Sequence, residues 1–322
     1  MSDARRVGRC CLVVMAACLV VAIAGCTAAA PPPSGVRAPT TTLHELSVDG
    51  WARTYRLHVA DDDPATTARP LLLVLHGGGG SARQIEAKTG FSRTASSRRL
   101  LVAYPDGTGS GAAHTWNAGR CCGYAQGHDV DDVAFLAAVI RQLVGSGLAD
   151  PDRVFVAGFS NGGMMAYRFA CERADLVAGI AVVSGAQNVS TCAPASGVSV
   201  LIIHGTADPI VPYGGGPPRR AVPGPLGSWS NASVADAWAF WTDHNSCPPP
   251  REGSRGASSA TVPRAAVTVA APCAGGTRME RYTIDGGGHE WPTSGSPHRG
   301  GRSTPGSLDA TTIVTEFALA SV

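Results

Sequence analysis

Lysine is nearly missing from this chain: Lys88 is the only one in 322 residues. Charged residues of all kinds make up 16%, and the formal net charge is +2. So thin and balanced a charge offers no basic stripe to a phosphate backbone, which excludes a nucleic-acid partner. There is no CxxC pair and no paired-histidine spacing, so no metal site is expected. The glycine run at His76-Gly77-Gly78-Gly79-Gly80 lacks the Lys-Ser/Thr of a phosphate cradle. No organic cofactor is implied. No apolar run has the length of a comfortable membrane span. Neither an internal repeat nor a second composition block divides the chain.

What is present begins with a targeting signal. Arg5, Arg6 and Arg9 form a basic region, and an apolar run from Cys11 to Ala24 has the length of a signal-peptide core. It ends in Ile23-Ala24-Gly25-Cys26, which looks like a bacterial lipobox. Residues 1–25 are therefore expected to be a lipoprotein signal peptide and Cys26 the lipidated residue. Residues 26–42, with Pro31-Pro32-Pro33, read as a stiff linker. Residues 43–322 read as one catalytic domain, expected to be a monomer. The expected location is outside the cytoplasm, either anchored to the outer face of the cell membrane through lipid on Cys26 or secreted.

Six cysteines follow the leader: Cys121, Cys122, Cys171, Cys192, Cys247 and Cys273. An even number in an exported chain suggests disulfides. Cys247 and Cys273 flank one irregular segment and are the favoured pair. Cys121 and Cys122 are neighbours, for which a mutual bridge is unfavourable, so they are expected to reach separately towards Cys171 and Cys192.

Strands are expected at Leu43–Val48 and Tyr55–Val59, joined at Asp49-Gly50. Further strands are expected at Leu71–Leu75, Leu100–Tyr104, Arg153–Ala157, Gly179–Val183, Val198–Ile203 and Met279–Ile284. Helical spacing marks Asp132–Val144, Gly162–Cys171, Ser233–His244 and Leu308–Leu319. This alternation implies an α/β fold, with a mostly parallel central sheet and helices on both faces. The stretches from Pro105 to His128, Gly214 to Asn231 and Pro248 to Pro263 read as long loops, which tend to be functional.

Gly158-Phe159-Ser160-Asn161-Gly162 is the only GxSxG in the chain. It lies directly between an expected strand and an expected helix, the setting of a nucleophile elbow. A serine hydroxyl needs a base, and in this fold the order is serine, acid, histidine. Asp208, in His204-Gly205-Thr206-Ala207-Asp208-Pro209, follows a strand. His289, in Gly286-Gly287-Gly288-His289-Glu290-Trp291, follows the last one. Ser160, Asp208 and His289 are thus the expected catalytic triad. The glycine run after Leu75 matches an oxyanion loop, with Gly78 and Asn161 as the expected backbone donors and Gly79 as the fallback.

Taken together, these motifs resemble those of the polyhydroxybutyrate-depolymerase and feruloyl-esterase family, LpqC-like lipoprotein esterases included, within the α/β-hydrolase superfamily. The resemblance runs from Leu43 to the C-terminus. It rests also on Trp116-Asn117, Cys121-Cys122-Gly123, Val130-Asp131-Asp132-Val133 and Gly288-His289-Glu290-Trp291-Pro292. It implies a serine carboxylic-ester hydrolase acting on short polyester (3-hydroxybutyrate) oligomers or on feruloyl or acetyl-xylan esters. It also implies that Trp116, Asn117 and Trp291 lie at the mouth of the site. Two other functions share the fold: an envelope-lipid acyltransferase and a non-catalytic binding lipoprotein. An intact triad with both oxyanion elements argues against the second.

Overall fold

The computed structural model describes residues 40–60, 67–110, 113–222, 226–250, 265–293 and 308–320. Cys26, the expected signal peptide and most of the expected linker lie outside the described residues, as does most of the Pro248–Pro263 stretch.

The chain opens with a hairpin, β1 (Thr40–Val48) and β2 (Trp51–Val59), turning at Asp49 and Gly50. β3 (Arg69–Leu75) follows, then two short helices, α1 (Ala82–Thr89) and α2 (Phe91–Arg98), and β4 (Leu101–Pro105). A small ribbon, β5 (Thr108–Ser110) with β6 (Ala113–Thr115), precedes α3 (Gly123–Gly127) and α4 (Asp132–Gly145). Then come β7 (Ala149–Phe159), α5 (Asn161–Glu172), β8 (Gly179–Val183), β9 (Ser199–Gly205), α6 (Val234–His244), β10 (Ala265–Ala270), β11 (Met279–Ile284) and α7 (Ala310–Ala320).

Nine strands form one sheet in the order β1-β2-β4-β3-β7-β8-β9-β11-β10. The run from β4 to β11 is parallel, and antiparallel pairs close both edges. The expected α/β-hydrolase architecture is present. Its physical basis is visible along β3, where every residue is buried. Leu71, Leu73 and Leu75 enter one apolar core with α4, α5 and α6. Leu72 and Val74 enter a second core with α1, α2 and α7. The two-residue period of a strand thus feeds two cores at once, which is why the sequence reads as an unbroken apolar run.

The structure corrects the expected boundaries and adds elements. β1 begins at Thr40 rather than Leu43, and β7 extends from Ala149 past the expected Ala157. α1 and α2 occupy a stretch with no expected helix. Ser81 caps α1 by accepting from the Gln84 N–H, and Gly90, in left-handed conformation, ends α1 and starts α2.

Disulfides join Cys247 to Cys273, as expected, and Cys171 to Cys192. The expectation for Cys121 and Cys122 is overturned: they pair with each other. The peptide between them is cis and their Cα atoms are 3.1 Å apart, while Cys171 and Cys192 satisfy one another across the end of α5.

Candidate active site

Four loops meet at the C-terminal edge of the parallel strands, where open α/β sheets place their sites. β3 leads into His76-Gly77-Gly78, β7 into Ser160, β9 into Asp208 and β11 into His289.

Ser160 sits between β7 and α5 with φ 54° and ψ −121°, outside the regions where a residue with a side chain rests easily. The turn is so tight that a Cβ at Gly162 would stand 2.5 Å from the carbonyl oxygens of Leu75 and His76. Only glycine lets α5 start this close to β3. The Asp208 and His289 loops also meet backbone to backbone. Ala207 N–H donates to the Gly287 carbonyl at 3.0 Å, and a side chain at Gly205 would collide with that same carbonyl.

These turns bring together three side chains far apart in sequence. Ser160 Oγ lies 2.9 Å from His289 Nε2. His289 Nδ1 lies 2.8 Å from Asp208 Oδ2. A carboxylate only accepts, so Nδ1 carries the proton and Nε2 is left to accept from the serine hydroxyl. Asp208 is fully buried and is held by two further groups: the N–H groups of Ile210 and Val211 donate to Oδ1 at 2.8 and 2.9 Å. Burial by itself raises its pKa. The side-chain contacts with His204 and His289, with the Val211 N–H, outweigh that and hold the carboxyl well below the usual range. His204 packs beneath it, 3.5 Å from Oδ2, and its Nε2–H donates to the Val211 carbonyl at 2.7 Å.

The glycine loop holds two of the candidate oxyanion donors, Gly78 and Gly79. Gly79 N–H, the fallback, is already committed to the His114 carbonyl at 2.8 Å. Gly78 N–H has no backbone acceptor among the described residues. Gly78 faces Asn161 across the entrance, where an added Cβ would sit 3.6 Å from the Asn161 Cβ and from Leu226. His76 fixes this loop. Its Nδ1–H donates to the Gly77 carbonyl at 2.8 Å, and its Nε2 accepts from Gly107 N–H at 3.0 Å. Burial pushes its pKa down to about 4, which keeps it in the neutral tautomer this arrangement needs. Asp106 and His114 stand beside it, close enough for the trio to hold a metal by distance alone. Both His76 nitrogens are already engaged by backbone, however, and Asp106 Oδ1 accepts from Ala82 N–H at 2.7 Å. The trio is better suited to anchoring loops than to binding an ion.

Three expected substrate contacts are corrected. Trp116 is wholly buried, with its indole N–H donating to the His76 carbonyl at 2.9 Å and its ring against that of His76. Asn117 is buried too: its N–H donates to Asp132 Oδ2 at 2.7 Å and its amide to the Val130 carbonyl at 3.1 Å. Trp291 is buried against Phe91, donating to Thr311 Oγ1 at 3.0 Å. All three are buried, and their polar groups tie neighbouring loops together.

The sequence reading missed the Asn161 side chain. Its Oδ1 accepts from Trp116 N–H at 2.7 Å and its Nδ2 donates to the Trp116 carbonyl at 3.0 Å. It thereby ties the nucleophile turn to the loop that carries Cys121 and Cys122. Also missed was the buried pair of Arg53 and Asp132, 2.7 Å apart, which supports the same loop through Asn117. The Val130-Asp131-Asp132-Val133 motif marked this place without giving its partner.

A family profile described as phospholipase/carboxylesterase matches residues 130–218, the stretch that holds Ser160 and Asp208. The chain is 36% identical over 274 residues to the putative esterase NocK of Nocardia uniformis subsp. tsuyamanensis, covering 81% of this chain and 76% of NocK. It is 30% identical over 231 residues to feruloyl esterase B of Piromyces equi, covering 69% of this chain and 40% of that protein. It is also 30% identical to a probable feruloyl esterase C of Aspergillus niger, covering 54% of this chain and 60% of that one. The chain thus spans most of NocK but less than two thirds of these two feruloyl esterases. Among solved structures, the acetyl xylan esterase from Aspergillus awamori superposes with a TM-score of 0.57 at 13% identity, over 87% of this chain and 100% of that one, a likeness of fold. By its match to NocK, together with its sheet and its loops, the chain belongs to the esterase family of the α/β-hydrolase superfamily that includes NocK and the feruloyl esterases.

Proposed function

We propose that the protein hydrolyses carboxylic esters through an acyl-enzyme on Ser160. The observation that carries this reading is the unbroken chain Ser160–His289–Asp208, with spacings of 2.9 and 2.8 Å, at the edge of the sheet. His289 Nε2 takes the hydroxyl proton as Oγ attacks the carbonyl carbon. Asp208 holds the imidazole and offsets its charge. The N–H groups of Gly78 and Asn161 stabilise the oxyanion, each donor worth roughly 3 kcal/mol of barrier. The ester C–O bond then breaks, and the proton on His289 passes to the departing alkoxide. Water repeats the sequence in reverse and releases the acid.

For substrates, feruloyl and acetyl-xylan type esters lead. The names of the Piromyces and Aspergillus relatives support the feruloyl class. Short 3-hydroxybutyrate oligomers are the other class. The three disulfides support a location outside the cytoplasm. Lipid attachment at Cys26 would anchor the domain to the membrane, and mass spectrometry of the mature N-terminal peptide tests this. The decisive experiment compares wild type with Ser160→Ala on 4-nitrophenyl acetate and butyrate, methyl ferulate, acetylated xylan oligomers and 3-hydroxybutyrate oligomers. Wild-type turnover with a loss of several orders of magnitude in the variant supports the reading. A folded wild type inert on all of them overturns it.

A further inference from the structure

The only lysine of the chain stands beside the nucleophile. Lys88 Nζ lies 3.9 Å from the centroid of the Phe159 ring, the residue before Ser160. His289 also neighbours that ring, at 5.0 Å between centroids. The ammonium is partly desolvated, which lowers its pKa, while Glu290 acts in the other direction. No salt bridge links Lys88 to an acid among the described residues.

Lys88 also lines a pocket of about 300 Å³ shaped by the end of α1, the start of α2, the start of α7 and the chain after His289. A second cation faces it. Arg93 folds back over Gly90, where an added Cβ would stand 2.6 Å from its Nη2. Arg93 has no salt-bridge partner among the described residues. Thr94, Thr293 and Thr312 add hydroxyls to the wall. Asp309 is the acid of the wall, and its Oδ1 already accepts the Thr312 N–H at 2.8 Å, capping α7, while Glu290 acts on Lys88 from outside it. Two cations with hydroxyl neighbours form a receptor for a carboxylate.

The side of the site on which it lies follows from the chemistry. The oxyanion donors are on the Gly78 side. His289 hands its proton to the leaving alcohol, so the alcohol part of the ester lies along His289. The Phe159 ring touches His289, Lys88 lies on that ring, and Thr293 of the pocket wall follows His289 closely in the chain.

We propose that Lys88 and Arg93 form a subsite for a carboxylate on the alcohol part of the ester, so that the enzyme prefers esters of hydroxy acids or of acidic sugars over neutral ones. This inference rests on the esterase reading above. A cation held against an aromatic face keeps its charge directed at an incoming anion while costing little ordering entropy.

The test uses acetate release from acetoxyalkanoates of three to six carbons and from the matching amides, which differ only in charge. For at least one chain length, wild type is expected to favour the acid over the amide about tenfold or more in kcat/KM, mostly through KM. Lys88→Gln and Arg93→Gln are each expected to lower that ratio about tenfold, and Lys88→Arg to restore part of it. The preference should also shrink as salt rises. A ratio near one at every chain length in wild type overturns the subsite, as does a preference that both glutamine variants retain. Inertness towards 4-nitrophenyl acetate as well would instead overturn the esterase reading beneath it.

Discussion

Asn161→Ala separates two roles of one residue. The backbone N–H of residue 161, the expected oxyanion donor, survives the change. What disappears is the side chain that closes two hydrogen bonds on the Trp116 backbone, at 2.7 and 3.0 Å, and a weaker one to Cys122 Sγ at 3.5 Å. The Asn161 side chain is buried, as is Trp116, so water does not replace it easily. Each buried group left without a partner costs about 1–3 kcal/mol, so two such groups cost on the order of 2–6 kcal/mol. In a domain of this size, that is a fall in Tm on the order of 10 °C. The damage should not stop at stability. Trp116 holds the His76 carbonyl through its indole, and His76 holds Gly77. The glycine loop therefore loosens, and kcat is expected to fall at least tenfold while KM for a small ester changes less. Differential scanning calorimetry and 4-nitrophenyl acetate kinetics on the same preparation check both. A Tm within 1 °C of wild type would refute the argument that this amide is what joins the two loops.

Asp132→Ala should cost a comparable amount, because it leaves Arg53 buried without its carboxylate: a loss of about 3–5 kcal/mol is expected in urea unfolding. Acid should weaken the fold through His76. Its pKa is about 4 in the fold, against 6.5 ordinarily. Between those values the unfolded chain binds a proton that the folded chain refuses, so stability is complete above pH 6.5 and falls as the pH drops towards 4. The drop is on the order of 3 kcal/mol, and His76→Gln should flatten it; equal unfolding free energies from urea titrations at pH 7 and pH 4.5 would count against it. Asp208, whose pKa is depressed, adds stability above the ordinary carboxylate range and loses it only at lower pH.

Much of the active centre was legible because its signals are local. A strained serine between glycines needs Gly158 and Gly162 wherever it occurs. A strand buried on both faces must read as an apolar run, so β3, β8 and β9 stood out in the sequence. Asp208 and His289 followed from their places after strands, and Ser233, a residue type suited to an N-cap, stood at the start of α6, where the structure adds the reciprocal bond from Asp236. By contrast, α1 and α2 escaped notice because they are short and polar, with no sustained apolar stripe, and are stabilised by docking onto the sheet.

What the sequence determined by itself was therefore the layering of the sheet, the turn at Ser160 and the choice of Ser160, Asp208 and His289 as the three side chains that meet, all of them consequences of spacing within a few residues. That Cys171 pairs with Cys192, whether Trp116 and Trp291 face substrate or core, and why Asn161 carries an amide were decided only in three dimensions. Each depends on partners tens of residues away, brought within a few ångströms by the path of the chain, and no periodicity along the sequence encodes that meeting.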